Sequence, residues 1–293
     1  VSRVWLLNLE AESELAQPRS PHDPTRIARE RPELIARLAD LVPSGDDVLT
    51  QAEGPSLAGK RCMVWSATTS ARSLLERRGA DLSQLPSAAV VARVSSRAFA
   101  AEQLGLLLPG AQLVFSHEAA DRALAAGSIS GKLLLRKMFG FAGRGRRIAQ
   151  VGALSESDLN FARKAVNEGG LLVEPYVERQ RDVSLHGFCD ERGVTVGEPT
   201  VATLNDGGVW QASTRDPSMR SDYASALREQ LLRAADALLA AGYRGPLGVD
   251  GFSYLISTDQ AQSQVQFCAR CEVNARYSMA WTIGMAGQRP DLA

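Results

Sequence analysis

The chain has 293 residues, enough for two domains and a small third at ~100–200 residues each. Hydrophobic residues make up 45% and charged residues 23%, which excludes a disordered or fibrous chain; 33 basic and 33 acidic side chains balance, so no global field selects nucleic acid, an anionic membrane or an acidic partner. No apolar run reaches the ~18 residues that cross a bilayer, residues 1–10 are unlike a secretory signal, and four cysteines are too few for a disulfide scaffold, so a reduced, cytoplasmic protein is expected.

Taken in chain order, residues 4–9 read as a buried strand, and residues 26–41 space Ile27, Leu34, Ile35, Leu38 and Leu41 along one helical face. A strand is predicted at 61–66, a helix at 70–79, a strand at 88–94 and a helix at 96–108. This β/α alternation implies a partly parallel sheet flanked by helices. From residue 112 the character changes. Strands are predicted at 133–139 and 147–151 around the glycine-rich loop 140–145 (GFAGRG). A helix capped by Ser155 or Ser157 runs to Asn167 and is stopped by Gly169 and Gly170, and 171–177 is the next strand. The rest reads as a larger antiparallel unit: strands at 183–189, 194–202 and 209–212, a helix at 221–241, a hairpin from 248 to 274 and a C-terminal helix.

Glycines let backbone amides approach phosphate oxygens because no Cβ stands in the way. A P-loop or dinucleotide fingerprint must run strand, loop, helix. Residues 140–145 run strand to strand and match neither GxxxxGK[ST] nor GxGxxG, so both readings fail. What remains is either a flexible surface hairpin or a flap, bearing Arg144, Arg146 and Arg147, that closes over a triphosphate. Arg136 and Lys137 lead into this loop and point opposite ways, so only one of them can face a ligand.

Asp250, Glu272 and Asn274 form a second constellation. If the hairpin centres on Ala261, in the polar run STDQAQS (257–263), Asp250 lies opposite Glu272 and Asn274 shares their face. Facing carboxylates repel. A divalent cation relieves the conflict, since Mg²⁺ (or Mn²⁺) takes hard oxygen ligands and binds one or two carboxylates together with substrate phosphates. A slipped hairpin, with the acids merely exposed, is the alternative.

Four ordered pieces then carry a resemblance: LLLRKMFGFAGRGRR (133–147), LLVEPYVERQRDVSLHGF (171–188), GYRGPLGVDGF (242–252) and CEVNARYSM (271–279). Together they resemble the ATP-grasp superfamily, the fold of biotin carboxylase, glutathione synthetase and D-alanine–D-alanine ligase, over about residues 85–285. The resemblance implies an α/β (α+β) fold with an N-terminal α/β domain at 1–115, a small nucleotide lid at 116–182 and a larger antiparallel catalytic subdomain at 183–293. It also implies an ATP- and Mg²⁺-dependent carboxylate–amine or carboxylate–thiol ligase that works through an acyl phosphate and releases ADP and phosphate. A non-catalytic ATP-binding protein and a small-molecule kinase on the same fold are the alternatives. Its partners would be ATP and small carboxylate and amine substrates, without nucleic acid or membrane; a homodimer and a further C-terminal segment are both compatible with it.

Carried onto this sequence, the resemblance makes Glu272 and Asn274 metal ligands, with Asp250 the upstream carboxylate. Arg276 falls beside the transferring phosphoryl group as a catalytic residue, together with Arg136. Glu174, Pro175, Tyr176 and Val177 take the hinge whose backbone reads the adenine edge, and Asp182 becomes the ribose partner, with Glu178 as the alternative. Gly140, Gly143, Arg144 and Gly145 belong to the lid over the phosphates. Two positions depart from the family. Its lid-strand lysine is Arg136 here, with Lys137 in place of a common proline, and its earlier lysine is Arg97. Arginine offers a bidentate fork where lysine offers a point charge. Lysine occurs only at 60, 132, 137 and 164, a skew that reads as codon bias. Cys268 and Cys271 lack the second pair a zinc site needs. His22, His117 and His186 read as structural or surface residues, and ERQRD (178–182) as a solvated turn.

Overall fold

A computed structural model describes residues 2–128, 130–140, 145–205, 210–257 and 263–293. Strand β1 (Arg3–Leu6) lies between β2 (Asp47–Val48) and β3 (Arg61–Val64), parallel to both. Strand alternation splits its side chains between two cores: Trp5 and Met63 pack with Tyr277 and Trp281, while Val4, Leu6, Cys62 and Val64 pack against Leu74 and Leu75 of a later helix. Helix α1 (Ala11–Ala16) follows β1. The single helix expected over 26–41 is two short ones, α2 (Arg26–Glu30) and α3 (Pro32–Ala36). Pro32 disfavours helical backbone in the residue before it, and Arg31 takes φ −133° and ψ 60°.

After β3 come α4 (Thr69–Arg77), α5 (Ala88–Val94) and α6 (Arg97–Leu104). The strand expected at 88–94 is therefore a helix. Ser87 caps it by accepting from the Val90 amide at 3.2 Å, and Val91 and Val94, three apart, turn inward while Ala89 and Arg93 stay exposed. The valines favour a strand only where a pleated surface receives them. Here Val94, Phe99 and Leu104 join the core of the largest sheet.

The next unit is a four-stranded antiparallel sheet, β4 (Gln112–Val114), β5 (Lys132–Lys137), β6 (Arg146–Gln150) and β7 (Leu171–Pro175), in the order β4-β7-β5-β6. Helices α7 (His117–Ala125) and α8 (Glu156–Asn167) share its core. Ser155 and Asp158 form a reciprocal capping box at the start of α8, the Ser155 cap expected from the sequence.

The largest sheet contains β8 (Glu178–Asp190), β9 (Gly193–Val196), β10 (Thr200–Leu204), β11 (Trp210–Arg215), β12 (Gly245–Ser257) and β13 (Ser263–Asn274). Its order is β11-β10-β8-β12-β13, with β9 also paired to β8. The strand expected over 194–202 is broken because Pro199 has no N–H, the Glu198 amide donates to Gly284 O at 2.7 Å, and a side chain on Gly197 would collide with the Gly284 backbone. Helix α9 (Ser221–Ala240) covers one face through Leu227, Leu231, Ala235 and Leu238. The expected C-terminal helix is a single turn, α10 (Trp281–Gly284), followed by a 3₁₀ turn at Pro290–Leu292. No helix among the described residues is long and apolar enough to cross a membrane.

Candidate active site

The site is built on the β12–β13 hairpin. Asp250 pairs with Glu272 and Gly248 with Asn274, which puts the two acids and the amide on one face. The register is subtler than a plain turn at Ala261 implies. From Phe252↔Cys268 to Ser257↔Ser263 the strands pair about residue 260, and a bulge opposite Gly251 shifts the register before Asp250 meets Glu272. The bulge demands glycine, because a Cβ at position 251 would sit 2.7 Å from Cys268 O. Asn274 Nδ2 donates to Asp250 Oδ2 at 2.8 Å, and the Ser184 hydroxyl donates to Asp250 Oδ1 at 2.6 Å. Ser184 carries no signal in the sequence; it reaches Asp250 because the two residues are partners across β8 and β12.

Two arginines converge on Glu272. Arg136, 6% exposed, donates from Nη2 to Glu272 Oε2 at 2.8 Å and from Nη1 to Cys271 O at 3.1 Å and Glu174 Oε2 at 3.3 Å. Lys137 points the other way, to Glu168 just past the end of α8, at 2.6 Å. Arg97, the first residue of α6, donates to Glu272 Oε1 at 2.5 Å, Lys137 O at 2.8 Å and Gly140 O at 3.3 Å. One guanidinium thus ties the end of β5 to β13.

The electrostatics follow from this geometry. Burial opposes charge on Glu272, but Arg97 and Arg136, with Arg276 and Arg179 further off, hold its carboxyl below the usual range. Asp250 goes the other way: burial and the Glu272 charge raise it, against the hydrogen bonds from Ser184 and Asn274. Burial also weighs against Arg136, which Glu272 and Glu174 nevertheless keep firmly protonated, while burial and Arg136 pull Arg97 down.

A cavity of about 230 Å³ opens over this hairpin, and Arg97, Arg136, Gly140, Gly145, Asp182, Asp250 and Glu272 of the expected residues all line it. Ser184, Trp210 and Arg179 line it as well. Arg179 overturns the solvated turn at 178–182. That run is the start of β8, and Arg179 lies 3.9 Å from the Phe252 ring centroid while donating to Asp182 at 2.7 Å. The other expected residues are not brought to the cavity wall. The Glu174 carboxylate is taken up by Arg136, the Tyr176 carbonyl accepts from Ser130 at 2.6 Å, and Val177 packs beside Leu108 and Phe252. Pro175 ends β7, Asn274 donates to Asp250, and Glu178 is exposed. Arg276 turns away, pairing with Glu12 on α1 and donating to Tyr277 O at 2.8 Å. Gly143 and Arg144 lie outside the described residues.

The donor set suits a hard divalent cation. Asp250 and Glu272 present carboxylate oxygens with unused lone pairs, and Asn274, whose amide nitrogen is engaged, keeps its carbonyl oxygen for a ligand.

No family model matches the chain. The architecture is nonetheless that of the ATP-grasp fold, the α/β (α+β) class expected from the sequence. N5-carboxyaminoimidazole synthetase from Staphylococcus aureus, complexed with ADP, superposes with a TM-score of 0.53 at 13% identity, covering 94% of this chain and 71% of that one. D-alanyl-alanine synthetase A from Vibrio cholerae O1 biovar eltor superposes at 0.51 and 13% identity, covering 97% and 89%. In sequence, the [butirosin acyl-carrier protein]–L-glutamate ligase of Niallia circulans is 25% identical over 119 residues, which is 41% of this chain but only 28% of that protein.

Proposed function

We propose that the chain is an ATP- and Mg²⁺-dependent ligase that activates a carboxylate as an acyl phosphate, joins it to an amine or thiol, and releases ADP and phosphate. The cavity over the β12–β13 hairpin carries this reading: two acids face each other on paired strands, and Arg97, Arg136 and Arg179 ring them. The relatives support it, since one is named as a ligase of L-glutamate and a solved one holds ADP.

In this reading residues 116–182 form the nucleotide lid, 183–293 the catalytic subdomain and 1–115 the substrate-side domain. A Mg²⁺ ion held by Asp250, Glu272 and Asn274 would supply positive charge across the terminal phosphates. Arg97 and Arg136 present guanidinium forks whose N–H groups, now on Glu272 and on lid carbonyls, suit phosphate oxygens equally well. Electrostatic stabilisation acts where charge develops, and this end of the cavity therefore serves the γ-phosphoryl group. Asp182 is the ribose partner, and the segment Glu174–Val177, from the end of β7 up to β8, is the hinge beside the adenine edge. The lid strands β5 and β6 keep water from the acyl phosphate.

Glu272→Gln tests the reading, because it keeps the shape and removes the charge. Mg²⁺-dependent ADP release in the presence of a pool of carboxylic and amino acids should fall by about a hundredfold or more, with an unchanged far-ultraviolet spectrum. Full metal-dependent turnover by the variant would remove Glu272 from the site.

A further inference from the structure

The sheet of β2, β1 and β3 ends on β3, and no described strand pairs with its far side. The Arg61 amide donates to Ser2 O at 3.2 Å and the Trp65 amide to Leu6 O at 2.9 Å, so both face β1. Ladder alternation then turns the N–H and C=O of Cys62 and Val64 outward. Native proteins cover or blunt such an edge. This one borders a cavity of about 870 Å³ that shares no lining residue with the nucleotide cavity. Residues 59–67 line it along their whole length, and the end of β8, the β8–β9 turn and the start of β12 form the far wall.

The two ends of this channel differ in chemistry. Lys60 and Arg61 stand at the amino end of β3. Lys60 faces only the exposed Asp47, at 3.2 Å, and Arg61 donates to main-chain oxygens of Asp291, Leu292 and Ala293. The carboxylates on the lining are already engaged: Asp81 with Ser83, Asp190 with the Arg192 amide, Glu191 with Arg244, and Asp291 with Tyr277 and Arg289. Positive charge is therefore what the amino end has to spare. At the other end lie Trp65 and Ser66, each 4% exposed, with Trp65 Nε1 and Ser66 Oγ buried and without a hydrogen-bond partner. Buried polar groups in native proteins are paired by protein, water or ligand. Met63, Phe188, Tyr243 and Tyr277 give the stretch between an apolar wall. The Ser66 end is the one turned toward the catalytic hairpin. Ala275, which follows Asn274, lines the cavity, and Arg276 pairs with Glu12 on α1, just past the carboxyl end of β1.

A ligand suited to this channel is long and narrow. It carries secondary amides to pair with the outward groups of Cys62 and Val64, and an anion for the end where Lys60 and Arg61 stand. From Lys60 to Ser66 the chain extends about 20 Å at ~3.3 Å per residue. We infer that the cavity takes a phosphopantetheine arm, its phosphate at Lys60 and Arg61, its two amides along β3 and its thiol at the Ser66 end. The inference rests on the ligase reading and makes a thiol, rather than an amine, the acceptor. The sulfur attacks the carbonyl carbon of the acyl phosphate. The C–S bond forms as the C–O bond to phosphate breaks, and the thiol proton leaves on the phosphate.

Calorimetric titration of the intact protein with 4′-phosphopantetheine, pantetheine and cysteamine tests it. Phosphopantetheine should bind, pantetheine at least about tenfold more weakly because it lacks the phosphate, and cysteamine, which has neither amide, not at all. Lys60→Glu should weaken phosphopantetheine by about tenfold and leave pantetheine and ADP unchanged. Hydrogen exchange of the Cys62 and Val64 amides should slow by about tenfold or more when the arm is bound. Coenzyme A and an acyl carrier protein domain, in holo and apo forms, separate the sources of the arm. Coenzyme A binding as tightly as the holo domain assigns a free thiol, and a holo domain at least about tenfold tighter than both coenzyme A and the apo domain assigns a protein-borne one. No binding by any arm-bearing probe overturns the inference, as does binding that leaves the Cys62 and Val64 amides unprotected. The ADP titration of the same sample judges the ligase reading separately, because a protein that binds ADP but no arm keeps that reading and loses only the thiol acceptor.

Discussion

Replacing Arg136 by methionine keeps most of the buried stem and deletes the guanidinium. Arg136 makes hydrogen bonds to two carboxylates and one carbonyl at 6% exposure, and its partners Glu174 and Glu272 have side chains only 7% and 26% exposed. Breaking a buried ion pair from one side costs about 3–5 kcal/mol, because the remaining charge is left uncompensated. Arg97 still holds Glu272 at 2.5 Å, so the low end, about 3 kcal/mol, is expected for Arg136→Met. Against a domain stability of ~5–15 kcal/mol this is a large fraction. Arg136→Lys keeps the charge but cannot reach Glu174, Cys271 O and Glu272 together, and should lose about 1–2 kcal/mol. Urea unfolding at pH 7 without nucleotide, followed by tryptophan fluorescence, measures both. A methionine variant within about 0.5 kcal/mol of the parent would show that the Arg136 ion pairs do not contribute in solution and would refute the reasoning.

Two further outcomes follow from the same coordinates. Lys137→Ala should leave ATP affinity within about twofold, since Lys137 is bound to Glu168 just past α8, whereas Arg136→Ala should weaken it by tenfold or more; fluorescence titration with ATP decides, and the reverse ranking would contradict the assigned facing. Burial alone pushes the His186 imidazole down from 6.5 to about 4, so the unfolded chain takes up a proton that the folded one refuses, and stability should fall as pH drops from about 6.5 to about 4, by about 3 kcal/mol from this group. His186→Gln should flatten that slope in urea melts, and an unchanged slope would assign it to other groups.

The sequence was most legible where two strand periods coincide with unlike residue chemistry. Asp250 and Glu272 could be paired by counting from a polar turn, although a bulge and a displaced turn centre cancel to give the same partner. The opposite facing of Arg136 and Lys137 followed from alternation alone. Local pattern failed where a distant partner decides. Val90 and Val94 read as part of a strand until α9 and the large sheet offer them a helical seat, and Pro32 sits within a run that keeps helical spacing on both sides. Ser184 and Arg179 carried no signal, because their importance comes from cross-strand neighbours set by β8–β12 pairing. The ion pair of Glu12 with Arg276 spans almost the whole chain, and nothing in either neighbourhood announces it.

In the proposed reaction, ATP activates a carboxylate through its γ-phosphoryl group. Incubating the protein with Mg²⁺, ATP, a pool of amino and other carboxylic acids and hydroxylamine, then quantifying nucleotides and hydroxamates by mass spectrometry, tests that claim directly. A hydroxamate of one acid and an equal amount of ADP are expected, both lost in Glu272→Gln. AMP and pyrophosphate in place of ADP would mean adenylation at the α-phosphate, and ADP formed on an alcohol with no carboxylate present would mean a kinase; either result rules out an acyl phosphate made from a carboxylate.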